Sequence, residues 1–166
     1  MEWYILLQQM INGLALGSIY SLIALGYTMV YGIIKLINFA HGDIYMLGAY
    51  FGFYALTKGG LSLGPALLLS MGLAALVGVV LERIAYRPLR SSPRITALIT
   101  AIGASLFIQS VSQIGFGASF KPFPQAIPFQ RIAIGSVFIT NRQLIMFGVS
   151  IFLMVTLHLI VQYTRI

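Results

Sequence analysis

INFAHGDIYMLGAY, residues 37 to 50, decides how many times this chain crosses an apolar phase. It gathers an amide, an imidazole and a carboxylate (Asn38, His41, Asp43) in a chain of 166 residues of which 59% are hydrophobic and only 8% charged. The mean hydropathy is +0.95. No soluble domain of this size carries that composition, so lipid is the solvent for most of the chain. Read as a helix from Ile44 to Thr57, the uncharged run after Asp43 reaches about 21 Å, short of a hydrocarbon core of about 30 Å. Started at Phe39 with Asn38 as N-cap, the same helix reaches about 28 Å and spans.

Working outward, residues 3 to 34 contain no Asp, Glu, Lys or Arg. A helix of that length would run about 48 Å, so the first span is expected over residues 3–27, with a loosened exit past Gly26 and Gly32. Later uncharged runs place spans at 61–81, 95–117 and 143–163, and with 38–57 the total is five. The expected fold is therefore an all-α integral membrane domain over residues 1–166. The amino terminus has neither a basic n-region nor a small-residue cleavage site, and reads as a retained span.

Charge sets orientation. Of ten basic residues, Arg83, Arg87, Arg90 and Arg94 crowd into ERIAYRPLRSSPR, residues 82 to 94. A short arginine-dense loop between apolar runs marks the cytoplasmic side and not a nucleic-acid surface. Five spans then put Lys35 and Arg165 on that side, Lys58, Lys121, Arg131 and Arg142 opposite, the amino terminus outside and the carboxyl end inside. In that loop Pro88 and Pro93 disfavour one continuous helix. The external loop 118–142 opens KPFPQAIPFQ, whose prolines forbid a helix. It continues RIAIGSVFIT, two β-branched runs around Gly135-Ser136 that predict a tight hairpin. Thr140 and Gln143 form a capping-box start for the last span.

Gly13, Gly17 and Ser21 recur every four residues, as do Gly48 and Gly52, and such ridges let helix backbones approach closely. Gln8 with Asn12, and Gln109 with Gln113, form polar stripes that need partners in lipid; interhelical hydrogen bonding is their expected role. At INFAHGD, residues two apart on a helix differ by about 200°, so His41 and Asp43 face opposite ways while Asn38, His41 and Tyr45 share a side. That geometry disfavours a His-Asp catalytic dyad, and His158 lacks an acidic neighbour, so no metal or cofactor is expected. The cysteine count is zero and no G-x-x-x-x-G-K-[ST] occurs, so there is no thiolate site and no P-loop ATPase. Two readings of the cluster stand. In one it caps a helix at the cytoplasmic boundary; in the other Asn12, Asn38, His41, Asp43 and Tyr45 contribute to a substrate path.

NGLALGSIYSLIALGYTMVYGIIKLINFAHGDIYMLGAY, together with ERIAYRPLRSS and AIGASLFIQ, resembles the H-type inner-membrane permease of bacterial branched-chain amino-acid ABC importers. The resemblance implies a membrane subunit that pairs with a second, related permease. Cytoplasmic ATPase subunits would drive it, and an external binding protein would supply leucine, isoleucine or valine. It also implies that these 166 residues are the N-terminal portion of such a permease, since the family continues past a QYTRI-like segment toward the region that couples to the ATPase. A non-conducting scaffold subunit or truncated fragment is the alternative; an intramembrane enzyme is disfavoured because the chain has only three acids.

Overall fold

A computed structural model describes residues 3–34, 38–89, 92–124, 130–134 and 137–163. Its elements in chain order are α1 (Trp3–Ile34), α2 (His41–Thr57), α3 (Leu63–Leu81), α4 (Arg94–Phe116), β1 (Arg131–Ile134), β2 (Val137–Thr140) and α5 (Asn141–Tyr163). A π-helical turn, Glu82–Tyr86, and a 3-10 turn, Arg87–Leu89, extend α3. Four segments are long and apolar enough to cross a membrane: Trp3–Gly32, Leu63–Leu89, Ile95–Phe116 and Asn141–Tyr163. The fifth helix, α2, has 17 residues. Large apolar side chains point outward along these helices, including Leu68, Phe107 and Phe152, each about 70% exposed. The exposure is inverted relative to a water-soluble bundle, and this is a multi-pass membrane protein.

The chain packs as two compact units, Ile34–Ala126 and Met1–Ile33 with Ile127–Ile166. In the first, α2 and α3 form an antiparallel pair with glycines at the seam. A methyl placed on Gly48 would stand 3.6 Å from the Ala74 Cβ, one on Gly52 3.7 Å from the Ser70 Cβ, and one on Gly78 3.9 Å from the Ile44 Cδ1. As the number rises along α2 it falls along α3, so the two run side by side over most of their length. Helix α4 instead lies parallel to α2. Ser105 meets Asp43 near one end of α2, and Phe116 stacks on Tyr50 and Tyr54 toward the other. Ala40, Leu47 and Ile108 form a buried core cluster, with Met46, Phe51, Val77 and Phe116 packed against it.

In the second unit β1 and β2 pair antiparallel, Arg131 opposite Thr140 and Ile134 opposite Val137. The expected hairpin forms, although its turn, Gly135-Ser136, lies outside the described residues. The Thr140 amide donates to Gln143 Oε1 at 2.8 Å, one half of the expected capping box, and α5 follows directly.

Three expectations are corrected. Helix α1 does not loosen near residue 27 but runs unbroken through Gly26 and Gly32. A helical glycine costs about 1 kcal/mol against alanine, less than backbone groups left unpaired in lipid. Residues 82–89 are not a loop: the helix tightens and widens there without breaking, and the Arg87 amide donates to the Glu82 carbonyl across a π turn. Pro88 sits within the short 3-10 turn, and Pro93 is the residue before α4. Finally, α2 begins at His41 and its N-cap is Ala40, with no side-chain cap.

Candidate functional site at Asp43

The start of α2 shows why Asn38 does not cap it. Its carbonyl accepts from the His41 amide at 3.2 Å, and the first helical bond follows from Ile44 N to Ala40 O at 3.0 Å. Its side chain is used elsewhere, because Tyr86, buried on the turn after α3, donates its hydroxyl to Asn38 Oδ1 at 2.6 Å. A buried phenol needs an acceptor, and this one ties the entry of α2 to the far end of α3.

Asp43, in the first turn of α2, is 8% exposed. It accepts from Ser105 Oγ at 2.5 Å through Oδ2 and from Gln109 Nε2 at 3.0 Å through Oδ1. Gln109 Nε2 also donates to Ser105 Oγ at 3.2 Å, closing a triangle. Ser105 and Gln109 are one helical turn apart on α4 and present both donors to one carboxylate. Among the described residues Asp43 meets no cation, and its carboxyl oxygens are satisfied by these two donors beside the positive end of α2. Ser105 stands about 17 Å along the α4 axis from Arg94, at 1.5 Å per residue. The carboxylate is therefore level with the middle of α4 and not with its arginine end. Tyr45, two residues on, is 55% exposed, as a 200° rotation requires; His41 is half-buried.

Ser105 was missed in sequence. The signal is AIGASLFIQ, where Ser105 and Gln109 share a face, but spacing alone also pairs Gln109 with Gln113, which stays outside the triangle. Gln109 does bond between helices, as expected. Asn12 belongs to the other unit: Gln143 Nε2 donates to Asn12 Oδ1 at 2.8 Å, joining α1 to the start of α5. Gln8, one turn earlier, accepts from the Phe138 amide and donates to the Phe138 carbonyl, both at 2.9 Å, standing in for a neighbouring strand on β2.

Among the ridge residues, Gly48 and Gly52 line the α2–α3 seam, whereas a methyl on Gly13 or Gly17 would meet nothing within 4 Å and the Ser21 hydroxyl donates to the Gly17 carbonyl. Arg83 and Arg87 are exposed; Arg90 and the side chain of Arg94 lie outside the described residues. A cleft of about 360 Å³ between α1 and α5 is lined by Leu25, Thr28, Met29, Leu157 and His158 among others. The Thr28 hydroxyl is spent on the Leu25 carbonyl, so the cleft offers little convergent polarity.

Residues 9–166 match the model of the branched-chain amino acid transport system permease component family. The high-affinity branched-chain amino acid transport system permease protein BraD of Pseudomonas aeruginosa is 41% identical over 99% of this chain and 58% of its own length. The corresponding LivH proteins of Escherichia coli K12 and Salmonella typhimurium are 42% and 41% identical, each over 96% of this chain and 56% of their own length. The chain thus spans somewhat over half the length of the curated relatives it matches. No solved structure matches it. With the helical membrane fold and a match that runs nearly end to end, the chain belongs to the family of branched-chain amino acid transport system permease components.

Proposed function

We propose that this chain is a transmembrane permease subunit of an ATP-driven bacterial inner-membrane importer, with branched-chain amino acids as substrate. Cytoplasmic ATPase subunits power it, an external binding protein delivers the substrate, and a second, related permease completes the conduit. The observation that carries this reading is identity of 41 to 42% across almost the whole chain to proteins named for that transport system.

The same reading assigns five crossings. Helix α2, at about 26 Å, runs antiparallel beside α3, and the turn at Asn38–Ala40, pinned by Tyr86, completes its crossing. The arginine-bearing turns after α3 face the cytoplasm, which puts the amino terminus outside and the carboxyl end inside. In the substrate path, Asp43 acts as the anchor that fixes α2 on α4. His41 and Tyr45 on the other side of α2, and Asn38 in the turn before it, are the polar contacts offered to the substrate.

Substrate-stimulated ATP hydrolysis after reconstitution with the ATPases and binding protein tests the function. Stimulation that requires this chain supports it; a scaffold subunit would leave hydrolysis indifferent to substrate. For orientation, single cysteines at Ser92 and Ser119 are probed with an impermeant thiol reagent from the outside. Labelling at 119 alone is expected, and labelling at 92 alone reverses the topology.

A further inference from the structure

At the end of α2 remote from Asp43, two ammonium groups converge on one ring. Lys58 Nζ lies 5.0 Å from the Tyr54 ring centre and Lys121 Nζ 5.2 Å from it. Lys121 Nζ also donates to the Tyr54 hydroxyl oxygen at 2.8 Å. Lys58 makes a cation–π contact and Lys121 a hydrogen bond at the hydroxyl edge, so one side chain draws together two like charges. Among the described residues nothing nearby neutralises them. The chain has only three acids, Glu2, Asp43 and Glu82. Asp43 is about 17 Å back along α2 and is held by Ser105 and Gln109. Glu82 follows the opposite end of α3, and Glu2 lies outside the described residues. Among the described residues neither lysine meets a carboxylate. The Tyr54 hydroxyl accepts from Lys121, and its own proton finds no acceptor among them.

Ammonium groups carry donors only, and a phenol that has accepted one bond still has a proton to give. The cluster is therefore built of donors without an acceptor, and its complement is an oxyanion. Depth and surroundings select the kind. Lys58 is the C-cap residue of α2, and Lys121 follows shortly after α4 ends at Phe116, which places both at a membrane surface. Around them are the stacked rings of Tyr50, Tyr54 and Phe116, Phe123 against Phe53, and Phe120, which is 92% exposed. Exposed rings beside lysines at the ends of spans belong to the headgroup layer, where lysine stems lie along apolar surface and their ammonium groups reach phosphate.

We propose that Lys58, Lys121 and the Tyr54 hydroxyl form a headgroup site for an anionic phospholipid, whose phosphate bridges the two ammonium groups while its acyl chains lie against the exposed apolar flanks of the helices. The site does not depend on which leaflet this end occupies. It also does not depend on the transport reading.

The test is lipid retention. The purified protein is placed in nanodiscs of equal phosphatidylglycerol and phosphatidylcholine, released gently, and its bound lipids are counted by native mass spectrometry. The wild type should retain phosphatidylglycerol preferentially. Lys58→Gln with Lys121→Gln should cut that preference by roughly fivefold for each lysine, the attraction of one surface cation to anionic lipid. Lys58→Arg with Lys121→Arg should keep it, and Tyr54→Phe should weaken it less than the double glutamine variant. If the double glutamine variant does not fold in phosphatidylcholine nanodiscs, Lys58→Gln alone, at an exposed position, carries the same comparison. Undiminished phosphatidylglycerol retention in the glutamine variant overturns the proposal, as does equal loss in the arginine variant. Displacement of the lipid by glycerol 3-phosphate would assign the cluster to a soluble anion instead, and displacement by an oligoglutamate peptide would assign it to an acidic protein.

Discussion

Removing the Ser105 hydroxyl should cost more when Asp43 is a carboxylate than when it is an amide. In the wild type the carboxylate is 8% exposed and has two donors, Ser105 at 2.5 Å and Gln109 at 3.0 Å. Hydrogen bonds to charged groups contribute about 1.5 to 3 kcal/mol net, whereas polar pairs inside membrane proteins average about 0.6 kcal/mol. A buried carboxylate that keeps only Gln109 falls between these limits, so Ser105→Ala alone should destabilise by about 1 to 2 kcal/mol. Asp43→Asn keeps an oxygen for Gln109 and offers its amide to the Ser105 oxygen, so its own cost should stay below about 1 kcal/mol. In that background Ser105→Ala should cost only about 0.6 kcal/mol, leaving a coupling energy near 1 kcal/mol. Equilibrium unfolding by SDS titration in mixed micelles, run on the two single variants, the double variant and the wild type, measures all four corners. Coupling below about 0.3 kcal/mol, within the additivity expected of independent sites, would refute the Asp43–Ser105 bond as the link between α2 and α4.

The α2–α3 seam makes a prediction against the usual treatment of packing glycines. A Cβ on Gly48 would sit at an ordinary 3.6 Å from Ala74, so Gly48→Ala should be neutral or stabilising by up to about 1 kcal/mol through helix propensity, while Gly48→Leu should destabilise by about 1 to 3 kcal/mol through overpacking. The same SDS titration reads both, and a large loss in Gly48→Ala would mean that the helices lie closer than described. In the other unit, Gln8→Ala removes two bonds to the Phe138 backbone and should speed hydrogen exchange at the Phe138 amide by about fivefold to tenfold, on the scale of one lost hydrogen bond of about 1 kcal/mol. Unchanged exchange there would show that Gln8 does not act as the missing strand.

The five long helices could be read from the sequence because lipid imposes one strong rule: uncharged runs of sufficient length must be helical. The hairpin and the Thr140–Gln143 contact followed from equally local chemistry, turn residues between β-branched runs and a side chain three residues from a cap. What escaped was long-range. Asn38 has the chemistry of an N-cap, yet its amide is drawn to Tyr86, 48 residues away, and no local pattern reveals that competition. Ser105 hides in an apolar helix where a single hydroxyl normally bonds its own backbone, as Ser110 does to the Leu106 carbonyl. Only the register of α4 on α2 brings it to Asp43. The extension of α3 past Glu82 was hidden for a different reason, because arginines and prolines read as a loop while the backbone continues through π and 3-10 turns that accommodate them.

The most direct measurement is ATP-dependent uptake of labelled leucine into proteoliposomes that hold the full-length permease containing these residues with the proposed second permease, ATPases and binding protein. The account predicts uptake that disappears when this chain is omitted and is competed by isoleucine and valine. Uptake at an undiminished rate without this chain, or none with every component present and ATP hydrolysed, would contradict it.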